Sequence, residues 1–228
     1  MMSRTAGNDA GASRAERAHA TREAILTAAE RLFAEHGVLA VSNRQVSEAA
    51  GQGNNTAVGY HFGTKADLVR AIARRHSAPI EEIRQRMLAE VGDSGDVRDW
   101  ISCLIRPVAQ HLAATGSPTW FARFGAQIMT EPSLRPIMVE ESLSSPSLVR
   151  IVDGLRRCLP DLPDEVRAER SDMARQLLVH MVAERERALA DGSPTPRSTW
   201  DEAATGIVDA LVGLWLAPVT TPRREGEP

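Results

Sequence analysis

SNRQVSEAAGQGNNTAVGYHFGTKADL, residues 42–68, is the stretch on which the fold turns. Ser42 is a good helix N-cap, and Val46, Ala49 and Ala50 form one apolar stripe, so the spacing predicts a short helix over 43–50. Gly51-Gln52-Gly53 then breaks the chain. Asn54 or Asn55 can cap a second short helix, about 55–61, containing Ala57, Val58, Tyr60 and His61. After Phe62-Gly63, Thr64 with Asp67 three residues on resembles a capping box with Asp in place of Glu, and opens a long helix at Lys65.

Two short helices joined by a glycine-containing turn make a helix-turn-helix, whose second helix lies in the major groove of DNA. The second helix carries Asn54, Asn55, Thr56, Gly59, Tyr60 and His61 on or near one end and lacks a wide apolar stripe. Upstream, Ala24, Ile25, Ala28, Ala29, Leu32 and Phe33 recur at helical spacing until Gly37, which predicts a first helix over 18–36. Residues 1–17 show no apolar periodicity and read as a flexible arm. Its Arg4, Arg14 and Arg17 either reach a phosphate or a minor groove or belong to a solvated tail.

With ILTAAERLFAEHGVLAVSNRQVSEAAG before it, the run AGQGNNTAVGYHFGTKADL resembles the DNA-binding domain of TetR-type repressors over residues 21–75. The match takes in the Leu-Phe-Ala-Glu-His-Gly end of helix 1, the Ser-x-Arg-x-Val start of helix 2 and Tyr-His-Phe-Gly-x-Lys-x-x-Leu. The Gly51–Tyr60 stretch is one residue longer than the commoner family turn. The resemblance implies a homodimer on a palindromic operator, released by a small effector. Asn54, Asn55 and Thr56, with Gly59 beside them, would face base edges, Asn being suited to adenine. Ser42, Arg44, Tyr60, His61 and Lys65 would hold phosphates on either side. Lys65 also stands at a helix N-terminus that attracts the same anion.

Beyond residue 75 the resemblance survives as a helical outline: helices over 65–91 with Pro79 as a kink or break, then 95–115, 118–130 capped by Ser117, 133–159, 163–190 and 198–217. DGSPTPR, 191–197, is the clearest loop. No stretch alternates with period two for long enough to form a strand, so the expectation is all-α. Its parts are an arm (1–17), a helix-turn-helix domain (18–75), a helical effector-binding and dimerisation domain (76–218) and a frayed tail (219–228).

In TetR-type proteins the last two long helices pair with those of a second copy, which here implicates Leu178, Met181, Ile207, Ala210, Leu211 and Leu214. Gly206 and Gly213 permit close approach of another helix. Aromatic and sulfur side chains clustered in sequence suggest a mainly apolar effector pocket: Trp100, Cys103, Trp120, Phe121, Phe124, Met129 and Met138. His111, Gln127, Gln176 or His180 would fix a polar end, although for any one of these residues ordinary core packing is the simpler reading.

Composition bounds the rest. Net charge is −3, but residues 1–77 hold 10 Lys+Arg against 7 Asp+Glu, and residues 78–228 hold 17 against 23, so a mildly basic head precedes an acidic body. Among the 27 basic residues Lys65 is the sole lysine, which reflects either chance under a codon bias toward arginine or a position where arginine fits poorly. Two cysteines 55 residues apart, Cys103 and Cys158, suggest neither a zinc site nor a disulfide framework. No run of 18 apolar residues exists for a membrane span, and the N-terminus lacks the apolar centre of a secretory signal, so a cytoplasmic protein is expected. There is no P-loop, no dinucleotide glycine fingerprint and no Gly-x-Ser-x-Gly, so neither an enzyme nor a cofactor is expected. A DNA-binding protein without an effector, or one whose helical body binds another protein, is the main rival reading.

Overall fold

The computed structural model describes residues 6–54 and 56–220, and the regular structure among them is entirely α-helical. The chain divides into two compact units, and the division falls inside one helix, between Ala78 and Pro79.

The first unit combines the N-terminal helices with Trp120–Ser142. It contains α1 (Ala6–His36), α2 (Asn43–Ala49), α3 (Ala57–Phe62), the first half of α4 (Lys65–Val91), α6 (Phe121–Thr130) and most of α7 (Arg135–Leu143). Ile25, Ala29 and Phe33 repeat every four residues on α1 and are fully buried, as are Val46, Val58, Leu68 and Ile72. Phe124, Ile128, Leu134 and Ile137 complete the same core, with Phe33 stacked on Phe124 at 6.4 Å between ring centroids. Two polar side chains are enclosed as a pair: His76 Nε2 lies 2.8 Å from a Glu30 carboxylate oxygen, and the imidazole stacks on Phe121 at 4.0 Å. Each partner thereby meets the hydrogen-bonding demand that burial imposes.

The second unit contains the rest of α4, then α5 (Val97–Thr115), α8 (Pro146–Cys158), α9 (Asp164–Ala190) and α10 (Trp200–Leu216). Its most extensive packing is α10 along α5, followed by α5 against α8. Trp100 has no exposed surface; its indole N–H donates to the Ser94 carbonyl at 2.9 Å, and its ring lies directly against Gly154. Burial also pushes the Cys103 thiol up to about 11.

Several boundaries differ from those read in the sequence. Helix α1 begins at Ala6, so residues 6–17 extend it and do not form a flexible arm. Side chains 14–17 are exposed, so that part of the extension rests on the helix propensity of Ala, Arg and Glu and not on packing. Arg14 and Arg17 stand on helix, while Arg4 and the end of the tail, 221–228, lie outside the described residues. The single helix expected over 133–159 is two. Pro146 forces Ser145 into an extended conformation (φ −82°, ψ 112°), and the Ser145 hydroxyl then accepts from the Leu148 N–H to start α8. Pro79 and Pro107, by contrast, sit inside continuous helices. Ser117 does not cap α6, which starts at Phe121 behind Trp120. The domain boundary expected after residue 75 falls three residues later, and 120–142, expected in the C-terminal domain, joins the first unit through the Phe124, Ile128 and Ile137 burial.

Candidate nucleic-acid interface

The helix-turn-helix forms from local signals. Ser42 and Gln45 make a reciprocal capping box: the Gln45 N–H donates to the Ser42 hydroxyl oxygen at 3.2 Å, and the Ser42 N–H donates to the Gln45 side-chain oxygen at 2.8 Å. The turn uses Gly51 at φ 69°, in the left-handed region. Asn54 accepts from both the Thr56 N–H (2.9 Å) and the Thr56 hydroxyl (2.7 Å), which shapes the entry to α3. Asn54 thereby keeps only its amide N–H groups for an outside partner. Asn55 lies outside the described residues.

Past α3, Gly63 adopts φ 80°, and Thr64 and Asp67 form the expected cap of α4: the Thr64 N–H donates to the Asp67 carboxylate at 3.1 Å, and the Asp67 N–H to the Thr64 hydroxyl at 3.1 Å. The Thr64 hydroxyl also donates to that carboxylate and holds it below its ordinary range.

Two long-range struts hold the helix-turn-helix together. Arg22 on α1 donates to the His61 carbonyl at 3.0 Å while its guanidinium lies 4.2 Å over the Phe62 ring. Lys65 donates to the carbonyls of Val38 (3.0 Å) and Val41 (2.6 Å), tying the start of α4 to the chain that enters α2. Lys65 is therefore a brace first, with one N–H left for a phosphate. Arg22 went unnoticed in the sequence because its partners lie 39 and 40 residues away and it sits next to an apolar stripe.

The other expected residues are placed as follows. Tyr60 is 83% exposed, its ring edge-on to His61 at 5.0 Å. Thr56 and Gly59 are exposed beside it, and a Cβ at Gly59 would meet nothing within 4 Å. Phe62 is buried in the core. Arg44 is exposed and paired with Glu48 at 2.8 Å along α2, which raises its pKa by that hydrogen bond.

The residues read as effector contacts are dispersed. Phe124 belongs to the core of the first unit, with Trp120, Phe121 and Met138 packed against it. Gln127 lines a shallow recess of about 250 Å³ with His36 and Glu131. Trp100 and Cys103 are closed off inside the second unit, and His111 is half-buried there. Gln176 and His180 are exposed on α9 and bonded to each other at 3.1 Å. None of these ten lines the larger cavity of the second unit, about 530 Å³, which is bounded by α5, α9, α10 and the loop between the last two. Of the residues read as dimer contacts, Met181, Ile207 and Ala210 line that cavity. Leu211 is buried within the protomer and Ile207 is nearly so, whereas Met181 is 51% exposed and Leu178 and Leu214 are half-buried. The 3.6-residue period of α10 placed its apolar stripe correctly but did not reveal that α5 of the same chain covers it.

A capped short helix, a glycine turn and a second short helix with Thr56 and Tyr60 exposed make the helix-turn-helix arrangement of DNA-binding proteins. Residues 25–72 match the model for the bacterial regulatory proteins of the tetR family, and residues 102–213 match a tetracyclin repressor-like C-terminal domain. The chain belongs to the TetR family of bacterial regulatory proteins.

Two curated relatives are HTH-type transcriptional repressors named AcnR. The Corynebacterium glutamicum protein is 40% identical over 63 residues, 28% of this chain and 33% of the relative. The C. efficiens protein is 36% identical over 87 residues, 36% of this chain and 46% of the relative. The chain thus spans a third to a half of the length of these relatives. Among solved structures, a TetR family transcription regulator from Marinobacter aquaeolei has a TM-score of 0.59 at 16% identity, covering 87% of this chain and 97% of that one. Mycobacterium smegmatis AmtR has 0.55 at 23%, covering 84% and 86%. At these identities the likeness is one of fold. No helix among the described residues is long and apolar enough to cross a membrane.

Proposed function

We propose that the protein is a cytoplasmic homodimeric repressor that binds a palindromic operator and leaves it when a small, mainly apolar effector binds. The observation that carries the DNA reading is the exposed face of α3: Tyr60 projects into solvent from a helix that Arg22 holds through the His61 carbonyl, next to an α4 start that Lys65 ties to the entry of α2. A braced, exposed recognition helix is preorganised for a groove. In this reading Asn54, Asn55 and Thr56 address base edges next to Gly59, and Ser42, Arg44, Tyr60, His61 and Lys65 position the phosphates. Both curated relatives carry the name repressor, which favours repression over activation.

Two heads on a twofold operator require two copies. The exposed Met173 and Met181 on α9, with Leu178 and Leu214 half-buried nearby in sequence, are apolar surface suited to a second copy. Effector and operator would prefer different arrangements of the two heads, communicated through α4. A hundredfold loss of operator affinity needs only about 2.8 kcal/mol of differential effector binding.

The test is a titration of the purified protein against duplex DNA from its own upstream region, at two salt concentrations and against an unrelated competitor. Tight, competitor-resistant binding with a steep salt slope is expected. Equal affinity for both duplexes at every upstream segment would defeat the operator reading.

A further inference from the structure

Arg22 stands three residues before Ile25 and four before Leu26, both buried, so its stem lies along the packed face of α1 while its head reaches the surface. Nη1 donates to the His61 carbonyl at 3.0 Å, in the last turn of α3, and the guanidinium carbon lies 4.2 Å from the centroid of the Phe62 ring. These two contacts fix the head, yet they occupy only one of its five N–H groups.

Nε and Nη2 have no partner among the described residues, and neither is closed off from water. No carboxylate among those residues pairs with the guanidinium: Glu23, next in the chain, lies 3.7 Å from Arg75. Three other arginines of the first unit do meet acids, Arg44 with Glu48, Arg70 with Asp67 and Arg74 with Glu141. Arg22 is held in place without being neutralised.

A strut for α3 needs only the bonded Nη1. The Nε–H and one Nη2–H point the same way along the opposite edge, and that pair matches two oxygens of a phosphate. The edge belongs to a head bonded to His61, whose ring meets Tyr60 edge-on at 5.0 Å, and Tyr60 is 83% exposed.

We propose that Arg22 grips a phosphate of the DNA backbone through its Nε–Nη2 edge, so that α1 joins α3 in the operator interface. The inference rests on the DNA-binding reading above and adds to it a contact outside the helix-turn-helix. Because the His61 carbonyl and the Phe62 ring already hold the head, little side-chain freedom is lost when the phosphate arrives. The same two contacts tie the seat of α3 to the position of that phosphate.

Arg22→Gln removes the charge and the fork but keeps an amide donor for the His61 carbonyl. Affinities of wild type and variant are measured by fluorescence anisotropy over a series of salt concentrations, on duplex from the upstream region and on an unrelated duplex of equal length. The slope of log affinity against log salt should fall by about 0.9 for each chain bound, on both duplexes, as expected for one lost phosphate contact. Preference for the upstream duplex should survive, because a phosphate contact carries no sequence information. Arg22→Lys should keep the slope and lose about fivefold in affinity, the worth of one hydrogen bond, since an ammonium cannot copy the edge.

Unchanged slopes in Arg22→Gln would overturn the clamp and leave Arg22 a strut. So would an Arg22→Lys variant indistinguishable from wild type, the mark of a distant charge. A wild type without preference for any upstream duplex would defeat the operator reading, while a lowered slope on the unrelated duplex would still uphold the clamp; a wild type that binds neither duplex would end both. Should Arg22→Gln lose its helical circular-dichroism signal, wild type answers alone. The Nε–H resonance of Arg22, identified by its absence from Arg22→Lys, should shift when either duplex is added, and a resonance that stays put would overturn the proposal.

Discussion

The ammonium of Lys65 donates to the carbonyl of Val41 across 2.6 Å, joining the first residue of α4 to the chain that enters α2. With Val38 as second acceptor, two of its three protons are spent inside the protein. A compact ammonium on a flexible stem can reach two carbonyls from one point; the planar guanidinium fork of arginine cannot copy that geometry. This geometry suits lysine at position 65, the one lysine among 27 basic residues. Lys65→Ala should cost about 1–3 kcal/mol in urea unfolding, since buried carbonyls lose their donor. It should also weaken DNA binding on every sequence and lower the salt slope by about one. Lys65→Arg should recover the charge but not the stability; a wild-type midpoint for that variant would contradict the strut.

Tyr60 makes its only ring contact with the neighbouring His61 and is otherwise in solvent among the described residues. Tyr60→Phe should leave the melting temperature unchanged and reduce DNA affinity by about 0.5–1.5 kcal/mol, the value of one hydrogen bond. The loss should be equal on operator and unrelated duplex, as for a phosphate contact. A loss confined to the operator would place the phenol on a base.

Gly154 has no room for a side chain, because a Cβ there would overlap the Trp100 ring. Gly154→Ala should destabilise by about 3 kcal/mol, the upper end of overpacking costs. Trp100 would have to leave the Ser94 carbonyl, so tryptophan emission should shift to the red. An unchanged melting temperature would show that α8 can slide away from α5 without cost.

Burial opposes the charge on Glu81, yet hydrogen bonds from Ser145, Ser147 and Gln85 outweigh it and leave its carboxyl below the usual value of 4.5. A folded-state pKa below the unfolded one contributes stability that is complete above the unfolded value and lost as pH falls through the folded one. Glu81→Gln should therefore flatten the decline of stability below pH 4.5, read by denaturant unfolding at a series of acid pH values. An acid limb identical to wild type would mean that Glu81 keeps the same pKa after unfolding.

Cys103 is fully buried and its thiol is pushed up to about 11. Cys158 is half-buried, its thiol donating to the Ser94 carbonyl at 3.5 Å. Iodoacetamide at pH 8 should modify at most one cysteine per folded chain and both in urea, with peptide mapping placing the first label on Cys158. Labelling of Cys103 in the folded protein would reveal opening of α5.

The helix-turn-helix was legible because its determinants are local. Ser42, Gly51, Asn54, Gly63 and the Thr64–Asp67 pair act within three or four residues, and the apolar spacing of α1 and α4 dictates which faces they bury. Pro146 was legible in principle as a helix stop, but Pro79 and Pro107 do not stop theirs, so proline alone could not separate α7 from α8.

What the sequence by itself determined is therefore the all-helical class, the reading head and the family, each written in short-range pattern. Only the tertiary structure decided which apolar side chains are core and which are wall. Phe124 and Trp100 look alike in sequence to any cavity lining, and α10 carries one stripe whether its partner is α5 of the same chain or another copy. Burial is a property of contacts between residues far apart in the chain, so Arg22 acquires its role only when α1 meets α3, about 40 residues on.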